Sequence, residues 1–349
     1  MAKFEYPELL KKMVEKRFVN VQKHSRYPLW LYNYSKRAQH RDMWNEATVA
    51  CRGMIMDRDL NIVSRPFKKF FNYWESATEK NMPDEPFVVT EKIDGSLGIS
   101  YCYEGVWGIA TRGSFEGKQA MRANRMLHEK YRKCLPKMRP ELTYLFEIIY
   151  PENRIIVDYG DREELVLLAV IDTETGVEIV DYEYIGFPKL KTYDINSFED
   201  VIKLKETGAD NAEGVVMRFA SGLRLKVKFE GYMRLHSIML GMTGIKVWNY
   251  ISKGNDIDRL YDLSTEEQKY WLQRTSQRIL ADYCAVKQQI TDEFHALSCF
   301  TSKKEAAEFI AGREHEAILF ALLNDKPVEK MLWQMVKPEE SDSWFAERG

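Results

Sequence analysis

The chain has 349 residues, of which 45% are hydrophobic and 30% charged, with a formal net charge of -2. This is the composition of an ordinary globular protein, long enough for two or three domains and a sizeable core. A charge so close to zero excludes a global basic field, so a polynucleotide partner would have to be met by a local patch.

In chain order, residues 5–24 read as a helix, with Leu9, Leu10, Met13, Val14 and Phe18 at helical spacing. From about residue 50 to residue 235 strand-like runs dominate, among them "GMIMD", "FVVTEKI", "LGISYCY", "TYLFEIIY", "ELVLLAVID", "EGVVMRF" and "LRLKVKF". They are short, rich in β-branched and aromatic residues, and broken by turn stretches such as "DRDLN" and "DTETG". One helix interrupts them at residues 116–133. Past residue 236 the strand pattern stops. Ser264 with Glu267 forms a capping box, and Leu272, Ile279, Tyr283, Val286 and Ile290 share one helical face. Ser302 with Glu305 repeats the box, and Pro327 stands where a helix can start. The expected organisation is an α+β body over residues 1–236 and an all-helical C-terminal domain over 237–349.

The five cysteines are odd in number, scattered and without a CxxC pair. That pattern suits reduced thiols, with neither a disulfide framework nor a zinc site. The start "MAKFEYPELLKKM" lacks an apolar stretch, and no run reaches 18 apolar residues. The expectation is a cytoplasmic protein that does not span a membrane. The six histidines show no metal-ligand spacing.

Chemistry concentrates around "EKIDGSLGIS", residues 91–100. Asp94-Gly95 alone is a turn signal, and a lysine two residues before it needs no function. Charged residues recur inside other apolar runs, however: Glu147 in "LFEII", Glu213 in "EGVVM", and Lys226 and Lys228 in "RLKVK". The last two are two apart and share one strand face. Burying such charges is costly unless they are paired or bind a ligand. Together they predict a polar cavity suited to a nucleoside triphosphate and a divalent metal. A lysine amine is a nucleophile only when neutral, and Lys226 and Lys228 could supply the positive field that keeps Lys92 so. Attack on an α-phosphorus would give a lysyl-AMP adduct and pyrophosphate.

"KIDG", "LFEII", "EGVV" and "LKVK" resemble, in order, motifs I, III, IV and V of the covalent nucleotidyltransferases, the ATP-dependent ligases and capping enzymes. From Lys92 the steps are 55 positions to Glu147, 66 to Glu213 and 13 to Lys226. "YNY", "CRGMIMD", "RPFKKFFNYWE", "TRGS" and "FEIIYPENRIIVDY" narrow the resemblance to RNA ligases like T4 RNA ligase 1, over residues 30–235. That resemblance implies a nucleotidyltransferase (ATP-grasp-like ligase) catalytic domain of mixed antiparallel sheets. It implies Lys92 as the residue that takes AMP, with Lys226 and Lys228 as catalytic phosphate contacts. It also implies ATP contacts from Tyr32, Arg52, Lys69, Phe71, Asp94, Gly95, Arg112, Glu147, Glu213 and Tyr232. Glu147 would bind the ribose and Tyr232 would flank the adenine. Glu213, and Asp94 through water, would support Mg²⁺ or Mn²⁺. Arg112 departs from the usual T-K-G-S block and presents a planar fork in place of a point charge.

The implied activity joins RNA 5'-phosphate and 3'-hydroxyl ends, single-stranded or in a cleaved tRNA loop, in RNA or tRNA repair by a monomer. No GxxxxGK[ST] run occurs, so damaged ends would need a separate end-healing kinase/phosphatase. The alternative is a non-catalytic ATP- or RNA-binding module that keeps the fold.

Overall fold

The structure, a computed structural model, describes residues 2–73, 82–209, 211–264 and 266–339. Trp74 and Glu75, at the end of the "RPFKKFFNYWE" block, lie outside the described residues. The chain divides into two compact units, Met1–Met233 and Arg234–Gly349.

The first unit contains three sheets. The first joins β1 (Val19–Lys23), β2 (Leu29–Tyr34), β3 (Arg52–Asp57) and β4 (Ile62–Ser64), all antiparallel. Helix α1 is shorter than the 5–24 periodicity suggested: it spans Pro7–Glu15. Arg17 then takes a left-handed φ of 59°, which ends the helix, and Val19 onward pairs with β2. Pairing across the sheet overrode a helical pattern that ran too far.

The second sheet has the order β10-β9-β7-β8, formed by β7 (Ser96–Tyr103), β8 (Val106–Thr111), β9 (Leu142–Ile149) and β10 (Glu164–Asp172). Leu29, Leu31 and Ile55 of the first sheet bury themselves against Ile99, Ala110 and Leu145 of the second. The opposite face is covered by the helix Lys118–Glu129, through Ala123, Met126 and Leu127 on Trp107, Ile109, Phe146 and Ile148.

The third sheet positions the chemistry. Its order is β11-β6-β12-β13-β5, from β5 (Phe71–Asn72), β6 (Phe87–Lys92), β11 (Thr192–Tyr193), β12 (Gly214–Phe219) and β13 (Arg224–Lys228). Among the described strand pairs of this sheet, β13/β5 is the parallel one. Strand period two splits its faces. Val89, Val215, Met217, Leu225 and Val227 are buried with Val201 and Phe229 in one core. Lys92, Thr90, Val216, Arg218, Arg224 and Lys226 alternate with them and line a cavity on the other face. The five buried aliphatics supply on the order of 10 kcal/mol, enough for the sheet to carry a cationic face.

The second unit is helical throughout its described residues, built on the 31-residue helix Glu266–Ala296. Trp271, Leu272, Ile279, Tyr283 and Ile290 are buried along it, and Tyr283 stacks on Trp333 at 4.1 Å. Trp271, Tyr283 and Trp333 are core, whereas Tyr270 and Phe309 are exposed. Ser264 donates to the Leu260 carbonyl at 2.6 Å. Ser302 does cap its helix, accepting from Glu305 N, whereas the Glu305 carboxylate turns to Thr301. The helix after Pro327 begins at Glu329. No described helix is long and apolar enough to cross a membrane, and the cysteines are all free thiols.

Candidate active site

A cavity of about 700 Å³ opens between the second and third sheets. Lys92, at the end of β6, pairs in register with Gly214, which in turn pairs with Lys228. This register brings two lysines to Glu213, the residue before β12. Glu213 is 4% exposed and its two oxygens are divided: Oε2 meets Lys92 Nζ at 2.5 Å and Oε1 meets Lys228 Nζ at 2.9 Å. Burial works against its charge, but the two ammonium groups prevail and hold it below the usual carboxylate range. Gly214 has φ 150°, and a Cβ there would come within 2.2 Å of the Val227 carbonyl oxygen, so the close strand approach that builds this bridge needs glycine.

The Asp94-Gly95 turn is locked rather than open. Asp94 is buried; its Oδ2 accepts from the backbone N–H groups of Ile156 and Val157 at 2.9 and 3.1 Å, and its Oδ1 from Tyr232 OH at 2.9 Å. Its own N–H donates to Tyr159 OH at 2.8 Å. Gly95 N–H donates to Glu147 Oε1 at 3.1 Å. A Cβ on Gly95 would lie 2.6 Å from the Ile148 carbonyl oxygen and 3.1 Å from Glu147 Cγ. Gly95→Ala is therefore expected to displace both Lys92 and Glu147, lowering turnover at least about tenfold with a loss of roughly 1–3 kcal/mol in stability by overpacking. A single-turnover assay with chemical denaturation checks it; unchanged kinetics would refute the tight packing.

Glu147, on β9, faces the cavity floor. Burial first, then Glu213 and Asp94, push its carboxyl up to about 7 against the pull of Lys92 and Arg52. Lys226 is strongly perturbed: burial first, then Arg52, Lys92, Lys69 and Lys228, bring it down to about 6. The anticipated field of like charges thus falls on Lys226, whereas Lys92 and Lys228 share a carboxylate. Arg52 at the start of β3 is pushed down chiefly by burial. Its Nη1 is buried without a hydrogen-bond partner among the described residues, as is Asn33 Oδ1 beside it on the cavity wall. Phe70 presents its ring to Arg52 at 5.4 Å and to Lys226 Nζ at 4.5 Å. An unpaired guanidinium nitrogen and a crowd of amines suit an anionic ligand with several oxygens.

The sequence family decides what kind of site this is. A family model described as RNA ligase matches residues 50–233, more than half the chain. The chain belongs to the T4 RNA ligase 1-like RNA ligase family. It is 28% identical over 256 residues to a protein of Autographa californica nuclear polyhedrosis virus assigned as a bifunctional polynucleotide kinase/RNA ligase, covering 65% of this chain and 36% of that one. It is 35% identical over 193 residues to a protein of Thermovibrio ammonificans assigned as an RNA ligase, covering 50% and 49%. An archaeal ATP-dependent RNA ligase of solved structure aligns over 79% of each chain with a TM-score of 0.45 and 15% identity. The chain thus spans a third to a half of the length of these two sequence relatives.

In this RNA-ligase-family cavity the structure brings Lys92, Arg52, Gly95, Arg112, Glu147 and Lys226 together on the wall, with Glu213 and Lys228 joined to Lys92. Arg112 also donates to Tyr34 OH at 3.1 Å. Other anticipated contacts lie elsewhere. Tyr32 packs with the α1 core, and its neighbour Asn33 lines the cavity. Phe71 stacks edge-on with Trp44 and carries Lys69 Nζ 3.9 Å from its ring, while Phe70 faces the cavity. Lys69 stays near enough to depress Lys226. Tyr232 is 2% exposed and holds Asp94 through its hydroxyl, so its ring lies in the core. Asp94 and Glu213 do not fit as metal ligands: every carboxylate oxygen is already engaged, and the described residues contain no three-ligand cluster. Asn33 and Phe70 carried no signal of their own. Arg218 and Arg224 did: Arg224, Lys226 and Lys228 alternate in "RLKVK", one cation every second residue.

Proposed function

We propose that this chain is an ATP-dependent RNA ligase working through a lysyl-AMP intermediate. The observation that carries the reading is the Lys92–Glu213–Lys228 bridge in one site with the partnerless Nη1 of Arg52 and the crowded Lys226. First, neutral Lys92 Nζ attacks the α-phosphorus of ATP; a P–N bond forms, the bond to pyrophosphate breaks, and the amine loses its proton. Second, an oxygen of an RNA 5'-phosphate attacks the adenylyl phosphorus, displaces Lys92, and leaves a 5'-5' pyrophosphate. Third, a 3'-hydroxyl attacks the RNA 5'-phosphorus, the phosphodiester forms, and AMP departs. Arg52, Lys226 and Lys228 offer the positive charge that the phosphoryl oxygens need as it builds up. Glu147, its carboxyl pushed up to about 7 chiefly by burial, would hydrogen-bond the ribose hydroxyls. Mg²⁺ or Mn²⁺ belongs to this proposal as a companion of ATP.

The proposal extends to RNA or tRNA repair in the cytoplasm by a monomer, with the helical unit recognising the RNA and a separate kinase/phosphatase preparing ends. Incubation with α-labelled ATP and Mg²⁺ or Mn²⁺, followed by a denaturing gel, should show label on the protein. Assays on single-stranded RNA, nicked duplex RNA, a cleaved tRNA loop and DNA, each with 5'-phosphate and 3'-hydroxyl ends, should then show joining of RNA. A chain that takes no label with either metal is instead a binding module.

A further inference from the structure

The cavity continues well past Lys92. Along β13 the cavity face runs Lys228, Lys226, Arg224, and Arg224 pairs in register with Arg218 of β12. Four residues of strand put Arg224 about 13 Å from Lys228. At this far end Arg224 Nη2 meets Glu178 Oε2 at 2.6 Å, and Arg218 Nη1 lies 3.8 Å from the same oxygen. Two guanidinium groups share one carboxylate, which leaves one positive charge in excess on side chains only 13% and 23% exposed. Such an excess in a half-buried place is costly unless an anion joins it. Next to the pair, Lys189 Nζ sits over the rings of Tyr182 and Tyr184 at 5.1 and 5.4 Å. Lys189 and Tyr182 line the same cavity, whereas Tyr184 is 56% exposed at its rim. Asp181 and Glu183 are exposed beside the tyrosines, where solvent and salt screen them.

An excess positive charge in one cavity with a lysine that touches the exposed Tyr184 ring is the combination that binds single-stranded nucleic acid: cations hold the backbone, and aromatic faces stack bases of any sequence. Arg224 stands about 13 Å along the strand from Lys228, longer than the two P–O–P linkages of a triphosphate, so a triphosphate seated at the Lys92–Lys228 end would leave the Arg224 end to another anion. We propose that the far end of the cavity is a second nucleotide subsite, in which Arg218 and Arg224 hold a backbone phosphate of single-stranded RNA and Tyr184, with Lys189, stacks the adjoining base. The proposal rests on the RNA-ligase reading given above.

Two variants test it. Arg224→Gln removes the excess charge. The double variant Lys189→Ala/Tyr184→Ala changes only exposed side chains, so its folding is not in question. For each, AMP labelling is measured against ATP concentration, binding against a fluorescent single-stranded RNA, and sealing against pre-adenylylated RNA. Expected are labelling and half-saturating ATP within twofold of the unaltered chain, with RNA binding and sealing at least tenfold weaker. Unchanged RNA binding and sealing in the double variant overturns the subsite. So does a rise in half-saturating ATP that matches the loss of sealing, because the cluster then reads the ATP base. An unaltered chain that takes no AMP label at all defeats the ligase reading and this subsite together.

Discussion

Lys92→Ala should lose covalent AMP labelling by at least about a thousandfold, the scale on which removing a nucleophile acts. The neighbouring strand lysines are not positioned to replace it: Lys228 stays on Glu213 Oε1, and Lys226 lies on β13, two strands from β6 across β12. The fold should survive, because Lys228 still neutralises Glu213 when Lys92 is gone. The loss of stability should therefore fall short of the roughly 3–5 kcal/mol that follows when a buried charge loses its sole partner. Lys92→Arg sharpens the test, since guanidinium keeps a cation beside Glu213 yet cannot be deprotonated. It should retain the melting temperature and still take no label. Gel detection of labelled protein together with calorimetry reads both variants, and label on either one would assign the nucleophile elsewhere.

Lys226→Met should move stability and activity in opposite directions. In the folded chain burial and four neighbouring cations bring Lys226 down to about 6, while an unfolded lysine titrates near 10.4. Between those values the unfolded chain binds more protons than the folded one, so this residue makes stability rise with pH across the window. Its destabilising effect is complete below about pH 6 and fades toward pH 10.5. Methionine fills a similar volume against Phe70 without the amine. The variant should thus melt higher at pH 7, the gain being of order several kcal/mol at most, and the difference should shrink as pH rises. Labelling should fall, because a cation that ATP would recharge is missing. Thermal melts from pH 6 to 10 check this, and a gain that does not shrink with pH would contradict a depressed amine. Glu147 acts in the opposite sense: raised to about 7, it makes the folded chain lose stability as pH climbs from about 4.5 to 7.

The stability–function opposition at Lys226 has the same origin as the site itself. The cavity gathers Arg52, Lys92, Lys226 and Lys228 against the two carboxylates of Glu147 and Glu213. A site complementary to a triphosphate is strained without it, and ligand binding should relieve that strain.

Much of the architecture could be read in the chain. Alternation in "EGVVMRF" and "LRLKVKF" placed one apolar and one polar face on the same strands, and a period of two is all that statement requires. Four ordered charged motifs marked the catalytic unit. The long helical stripe from Leu272 to Ile290 marked the second. Local pattern also misled: at residues 16–24 helical spacing continued through residues that a left-handed Arg17 turns into a strand.

By itself the sequence determined which residues are charged within apolar strands, which strand face each occupies, and to which family the chain belongs. These follow from covalent order and the pitch of a strand. Only the tertiary structure decided who meets whom. The register of β6, β12 and β13 made Glu213 the shared partner of Lys92 and Lys228. Burial turned Tyr232 and Asp94 inward, as structural partners of each other. Pairing, burial and the charge sums they create depend on segments far apart in the chain, and no local spacing encodes them.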